Sequence, residues 1–140
     1  MLRSRFDEYI ARFNARDAGA FDDFLRPDVT VINGHLEIPG VEAMKAHYVE
    51  HIWPHFEERL TPLRFVSDED TLAVQMWTRF TAQHVAETIF GPVETGDRFD
   101  YRGVILYELR DDRFATIIVA YNSFTRTTSR GEVSELGIVH

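Results

Sequence analysis

Residues 9–40 read YIARFNARDAGAFDDFLRPDVTVINGHLEIPG, and the change of apolar period inside this stretch decides the fold. Phe6, Tyr9, Ile10 and Phe13 recur at helical spacing and predict a first helix, with Ser4 and Asp7 placed as a capping box ahead of it. Asp17-Ala18-Gly19 breaks that helix. Phe21, Phe24 and Leu25 then suggest a short second one, which Arg26-Pro27-Asp28 stops. Val29-Thr30-Val31-Ile32 is β-branched and apolar, and reads as a strand.

Outward from this stretch the same grammar continues. Gly40 precedes a third helix with Val41, Met44, Tyr48 and Ile52 as its apolar stripe, disrupted by Pro54 next to Trp53. Beyond it, residues 63–67, 72–90, 98–109 and 113–125 read as strands, separated by turns at Asp68-Glu69-Asp70, residues 91–96 and Asp111-Asp112. Helices first and a strand meander afterwards mean an α+β fold. No linker or repeat divides the chain, so residues 1–140 form one domain, with a tail from about Thr125 expected to be loosely held.

Composition narrows the function. A domain of 140 residues buries enough apolar surface to fold without staples, and the absence of cysteine excludes disulfides, thiolate metal sites and thiol catalysis. A net charge of −8 with no basic stripe argues against nucleic acid and anionic membranes as partners. No apolar run is long enough for a signal peptide or a membrane span, so a soluble, cytoplasmic protein is expected. Eleven phenylalanines can line a cavity as well as fill a core.

His47, His51 and His55 follow one another at intervals of four. On a helix the first two lie about 40° apart and could share an ion, but Pro54 breaks the register before His55. A zinc hydrolase pair would carry a glutamate where this chain has Tyr48. The expected reading is two histidines on the rim of an amphipathic helix, with no metal and no cofactor.

The quoted stretch resembles the opening of the nuclear transport factor 2-like superfamily, which includes ketosteroid isomerase, limonene epoxide hydrolase and polyketide cyclases of the SnoaL type: a helix, Asn-x-x-Asp, a short helix, and an Asp-x-x-Val strand. Residues 83–99, QHVAETIFGPVETGDRF, resemble the cyclase segment in which a histidine and a glutamate precede a Gly-x-Pro-x-Thr-Gly-like hairpin, with one residue extra. The resemblance implies a curved antiparallel sheet wrapped as a cone against three helices, one apolar pocket, and a homodimer. It places Tyr9 where the isomerase stabilises a dienolate oxygen, and Asn33 where that enzyme keeps its aspartate base and the epoxide hydrolase its water-holding asparagine. Ile105 and Val119 fall where relatives have acids or a histidine, and Trp77 and Arg79 replace the hydrolase's arginine and aspartate. The family's catalytic carboxylates are therefore missing at all the carried-over positions.

Strand alternation leaves the pocket side open, and the resemblance favours Trp77, Arg79 and Thr81 facing inward with Tyr101, Ile105 and Tyr107 of the next strand and Ile117, Val119 and Tyr121 of the last. Phe13, Val31 and Trp53 complete the expected substrate lining. Tyr9, Asn33, Arg79 and His84 are the candidate catalytic groups, each with a structural reading beside it: a core tyrosine, a turn residue before Gly34, an ion-paired arginine, a structural histidine. Two functions remain in view. One is an enzyme of the cyclase, isomerase, dehydratase or hydrolase type acting on a hydrophobic oxygenated small molecule through oxyanion stabilisation by Tyr9 and Arg79; the other is a pocket protein or dimerisation module without chemistry. Outward-facing Phe80, Val104 and Leu106 are expected to form the homodimer face.

Overall fold

The structure, a computed structural model, describes residues 1–137. Three helices, α1 (Arg3–Asn14), α2 (Gly19–Phe24) and α3 (Val41–His47), cover one side of a mixed, strongly curved sheet that stops short of closing into a barrel. None of the described helices is long and apolar enough to cross a membrane.

The sheet runs β2 (Leu36–Pro39), β1 (Leu25–Asn33), β8 (Arg113–Thr127), β7 (Arg98–Arg110), β4 (Thr71–Ala82), β3 (Phe56–Ser67). A separate small hairpin, β5 (Ala86–Thr88) with β6 (Gly91–Val93), occupies the connection from β4 to β7. All neighbours in the large sheet are antiparallel except β1 and β8, whose parallel pairing makes it mixed where an antiparallel one was expected. Between them runs nearly the whole strand meander, and only a crossover of that length lets two parallel strands lie side by side. At Gly103 the register of β7 against β8 shifts by one residue, the kind of irregularity that bends a strand. A Cβ there would stand 2.3 Å from the Ala120 carbonyl oxygen, so only glycine permits the close approach.

Several boundaries differ from the sequence reading, each for a local reason. Helix α1 starts at Arg3 without a side-chain cap, and Asp7 instead accepts from Arg3 Nε at 2.8 Å. Strand β1 begins already at Leu25 and carries Pro27 where its register against β8 slips, a place that needs no donor from the proline nitrogen. Asn33 ends β1 opposite Leu36, and Gly34-His35, with Gly34 at positive φ, turns the chain into β2. Strand β3 begins at Phe56, seven residues before the expected start. The segment past Thr125 does not trail away: it ends β8 at Thr127 and returns as β9 (Val133–Glu135) along β8, anchored by Ser129 N donating to the buried Asp97 at 2.9 Å.

Packing between layers is dominated by aromatic rings. On the buried face of α1, Phe6 and Tyr9 meet Phe24, Phe114 and Tyr107, and Phe13 meets Phe21 and Tyr48, all edge-on or tilted. A second cluster, Phe56, Phe80, Phe90, Phe99 and Phe124, fills the far end. Between the two lies the cavity.

Candidate active site

A cavity of about 530 Å³ opens between α1, α3 and the concave face of the sheet, within the range that holds a drug-sized ligand. Its walls are Phe13, Val31, Leu60, Phe80, Phe90 and the β7–β8 residues Tyr101, Ile105, Tyr107, Ile117, Val119 and Tyr121; Asn33, His35 and His47 also line it. One buried carboxyl group lines it too, Glu58, which is only 8% exposed.

Glu58 owes its place to the strand it sits on. Along β3, Phe56, Glu58 and Leu60 are buried while Glu57 and Arg59 are exposed, so period-two alternation turns the glutamate inward. Its cross-strand neighbour is Phe80. The edge of β3 is clamped on both sides of Glu58 by the end of α1: the Asn14 amide donates to Leu60 O at 3.0 Å and accepts from Leu60 N at 2.8 Å, and Arg16 donates to Phe56 O at 2.9 Å. The Asn-x-x-Asp of the opening therefore has two distinct jobs. Asn14 acts as a substitute strand for an exposed sheet edge, and Asp17 accepts from Gly19 N at the start of α2 while pairing with Arg12.

Tyr48 is delivered by a π turn. After His47 the helix widens over Tyr48–Ile52, closed by Trp53 N donating to Tyr48 O at 2.8 Å. The wide turn keeps Tyr48 and Ile52 buried and puts Val49, Glu50 and His51 outside, and it ends at Pro54, which has no N–H to continue it. The Tyr48 hydroxyl donates to Glu58 Oε1 at 3.4 Å, and Glu58 Oε2 is buried with no hydrogen-bond partner among the described residues.

Electrostatics follow from burial. Loss of hydration pushes the Glu58 carboxyl up to about 8, against which the Tyr48 hydrogen bond pulls weakly downward. Burial also raises the phenols of Tyr9, Tyr48 and Tyr107, with Glu58 adding to the first two, and pushes Tyr101 up to about 12. His47, half-buried beside His51, is held below the ordinary imidazole value by desolvation. At neutral pH the deep end of the cavity is thus a protonated carboxyl group among neutral phenols, able to donate from Oε2 or, once ionised, to accept a proton there.

Of the residues singled out in the sequence, Tyr9, Asn33, Phe13, Val31, Tyr101, Ile105, Tyr107, Val119 and Tyr121 line this cavity. Four do not. The β4 face is reversed from expectation: β4 pairs Thr78 with Tyr101, so the even-numbered residues Thr78 and Phe80 face inward, and Trp77 and Arg79 lie on the convex side. There Asp100 accepts from Arg79 Nε at 2.8 Å and from Trp77 Nε1 at 2.7 Å, which answers the need of a half-buried arginine for a carboxylate. The pair belongs to the sheet's back, and Arg79 has no route to help Tyr9 hold an oxyanion. Trp53 stacks on Phe21 outside the lining, and His84 is exposed with its Nε2 3.2 Å from His55 Nδ1. Phe80, expected on the outer face, is a cavity wall.

Glu58 itself escaped the sequence reading. The signal was present in FEERL, residues 56–60, whose alternation puts one charge in the apolar register; a charged residue at an inward strand position is a functional-site signature once the strand is recognised.

Comparison with known proteins agrees with this architecture. A family model described as SnoaL-like domain matches residues 6–117. The Δ5-3-ketosteroid isomerase of Mycobacterium sp. superposes with a TM-score of 0.68 at 16% identity, covering 89% of this chain and 96% of that one. TsrD from Streptomyces laurentii gives 0.66 at 20% identity over 87% and 91%, and a limonene-epoxide-hydrolase-like epoxide hydrolase of M. tuberculosis gives 0.64 at 12% over 84% and 79%. At these identities the likeness is one of fold. No curated protein matches the chain by sequence.

Proposed function

The chain belongs to the SnoaL-like domain family, within the nuclear transport factor 2-like superfamily, and from that premise we propose that it is a proton-transfer enzyme acting on a hydrophobic, oxygenated ring compound, with Glu58 as the proton carrier. The observation that carries this reading is Glu58 Oε2, a buried carboxyl oxygen without a protein partner in an aromatic cavity. Asn33, Ile105 and Val119 line the same cavity and offer no acid, so the carboxylate absent from the carried-over positions is supplied from β3 instead.

The chemistry follows from the arrangement. Ionised Glu58, held by the Tyr48 hydroxyl, takes a proton from carbon next to a ligand carbonyl and returns it at a neighbouring position, while the phenol of Tyr9 hydrogen-bonds the oxygen on which charge develops. A carboxyl group pushed up to about 8 is a far stronger base than an ordinary glutamate and still ionises in reach of neutral pH. Apolar walls exclude water from the enolate.

Exchange of the α-protons of 2-tetralone in deuterated buffer, followed by NMR, tests this. Catalysed exchange should rise with pH through about 8, and Glu58→Gln should lower it by roughly 10²-fold or more, the contribution typical of a positioned base. Exchange no faster than buffer, or unaffected by Glu58→Gln, would refute it. A ligand carrier of the same fold is the second reading, favoured by the acid-free positions 33, 105 and 119; it predicts that same null result together with measurable binding of the ketone.

A further inference from the structure

Among the described residues no lysine or arginine lines the cavity. The arginines close to it are engaged elsewhere, Arg16 on the Phe56 carbonyl and Arg79 on Asp100. An anionic ligand would therefore enter without a counter-charge, into a site whose one ionisable carboxyl group would repel it. The opposite charge meets a different environment: Glu58 presents an unpartnered oxygen, and the rings of Tyr9, Tyr48, Phe80 and Tyr101 stand around the same end of the cavity.

We propose that this cavity binds hydrophobic amines as ammonium ions, paired with the Glu58 carboxylate among the rings of Tyr9, Tyr48, Phe80 and Tyr101. This goes beyond the proton-transfer reading and shares with it only the premise that Glu58 Oε2 meets the ligand. An ammonium group brings several N–H donors. One satisfies Oε2, and ring faces attract the remaining positive charge. The pair also removes what keeps the carboxyl group protonated, because its charge is no longer buried alone.

Proton balance gives the proposal a signature. Below about pH 8 the carboxyl group is protonated and the amine arrives charged, so binding converts Glu58–COOH and R–NH₃⁺ into the ion pair and one proton released to solvent; only an O–H bond breaks. Amine affinity should therefore rise up to tenfold per pH unit and level off near 8, whereas a neutral acceptor that needs the Glu58 hydroxyl keeps its affinity over that range and loses it above about 8. The other ionisable groups facing the cavity are Tyr9 of α1, Tyr48 of the π turn and Tyr101 and Tyr107 of β7, all raised, with His47 of α3 lowered, together with Tyr121 of β8 and His35 on the β1–β2 turn. None of the raised phenols ionises between pH 6 and 8.

The test is calorimetric titration with 2-(aminomethyl)naphthalene, 2-naphthalenemethanol and 2-naphthoate at pH 6, 7 and 8, in phosphate and in Tris so that proton release is read from the difference in heat. The amine should bind at least tenfold tighter than the alcohol at pH 8, with close to one proton released at pH 7, and naphthoate should be weakest. Glu58→Gln should erase the amine's preference over the alcohol. In wild-type protein the ¹³C resonance of the Glu58 carboxyl should move to its ionised position when the amine is added, a readout independent of the variant's folding. Equal binding of alcohol and amine, no binding by any probe, a preference that survives Glu58→Gln, or an unmoved resonance would each overturn the proposal. Loss of amine binding with 2-tetralone exchange intact refutes only this inference; the reverse refutes only the proton-transfer reading.

Discussion

The Tyr48 hydroxyl stands 3.4 Å from Glu58 Oε1, so one oxygen of the only carboxyl group lining the cavity among the described residues is held by the protein, while the other is buried with no hydrogen-bond partner among those residues. The two residues come from a π turn and an edge strand separated by Pro54, and each is placed by its own stretch of backbone. Because this hydrogen bond favours the ionised form, Tyr48→Phe should move the Glu58 titration upward, read from its carboxyl ¹³C shift. Loss of the bond should also cost about 1 kcal/mol of stability.

Burial of Glu58 couples folding to pH. Between its ordinary value of 4.5 and about 8, the folded protein keeps a proton that the unfolded chain has released, so stability falls as pH rises across that window and levels off above it. Urea denaturation of wild type and Glu58→Gln at pH 5 and pH 9 should show the variant gaining on wild type by several kcal/mol at the higher pH, since each tenfold change in proton affinity is worth roughly 1.4 kcal/mol. A constant difference between the two proteins at both pH values would contradict the burial.

Asn14 ties α1 to β3 through two hydrogen bonds to Leu60. Asn14→Ala leaves both backbone groups of an edge strand without this partner, and should lower stability by roughly 1–3 kcal/mol. Because the clamp adjoins Glu58, amide exchange at residues 58–60 should quicken more than exchange in β7 of the same variant.

On the convex face, Asp100 accepts from both Arg79 and Trp77 while only 8% of its side chain is exposed. Asp100→Ala strands both donors, and a loss of roughly 1–3 kcal/mol is expected, discounted for the partial exposure of Arg79. Binding of cavity ligands at a temperature where the variant is folded should be unchanged, which separates this pair from the site.

The same convex face leaves Val104 45% exposed, with Leu106 half-buried beside it. We propose that a second copy covers this face, giving a homodimer built sheet to sheet. Sedimentation at micromolar concentration should give a dimer, and Val104→Lys should shift it toward monomer; a wild-type monomer would defeat the idea.

Much of this fold is legible in the chain. Apolar spacing in α1 and α3, the breaks at Asp17-Ala18-Gly19 and Asp111-Asp112, and the long alternating strands follow from local periodicity and turn chemistry, and these with the family resemblance were enough for an α+β cone with a pocket. The inward set on β7 and β8, Tyr101, Ile105, Val119 and Tyr121, comes from the family resemblance, since alternation by itself leaves either face of these strands open. What the chain could not say locally is which face of β4 meets that set, because Trp77 and Phe80 are both large and apolar and alternation fits either choice. The register Thr78 to Tyr101 decides it, and register is a property of two strands at once. Glu58 shows the same limit more sharply. Its residue type advertises a solvated surface, and only the packing of α1, the π turn and the curved sheet around one edge strand turns it into a buried acid, because desolvation is set by everything that surrounds a group and by nothing in its own sequence neighbourhood.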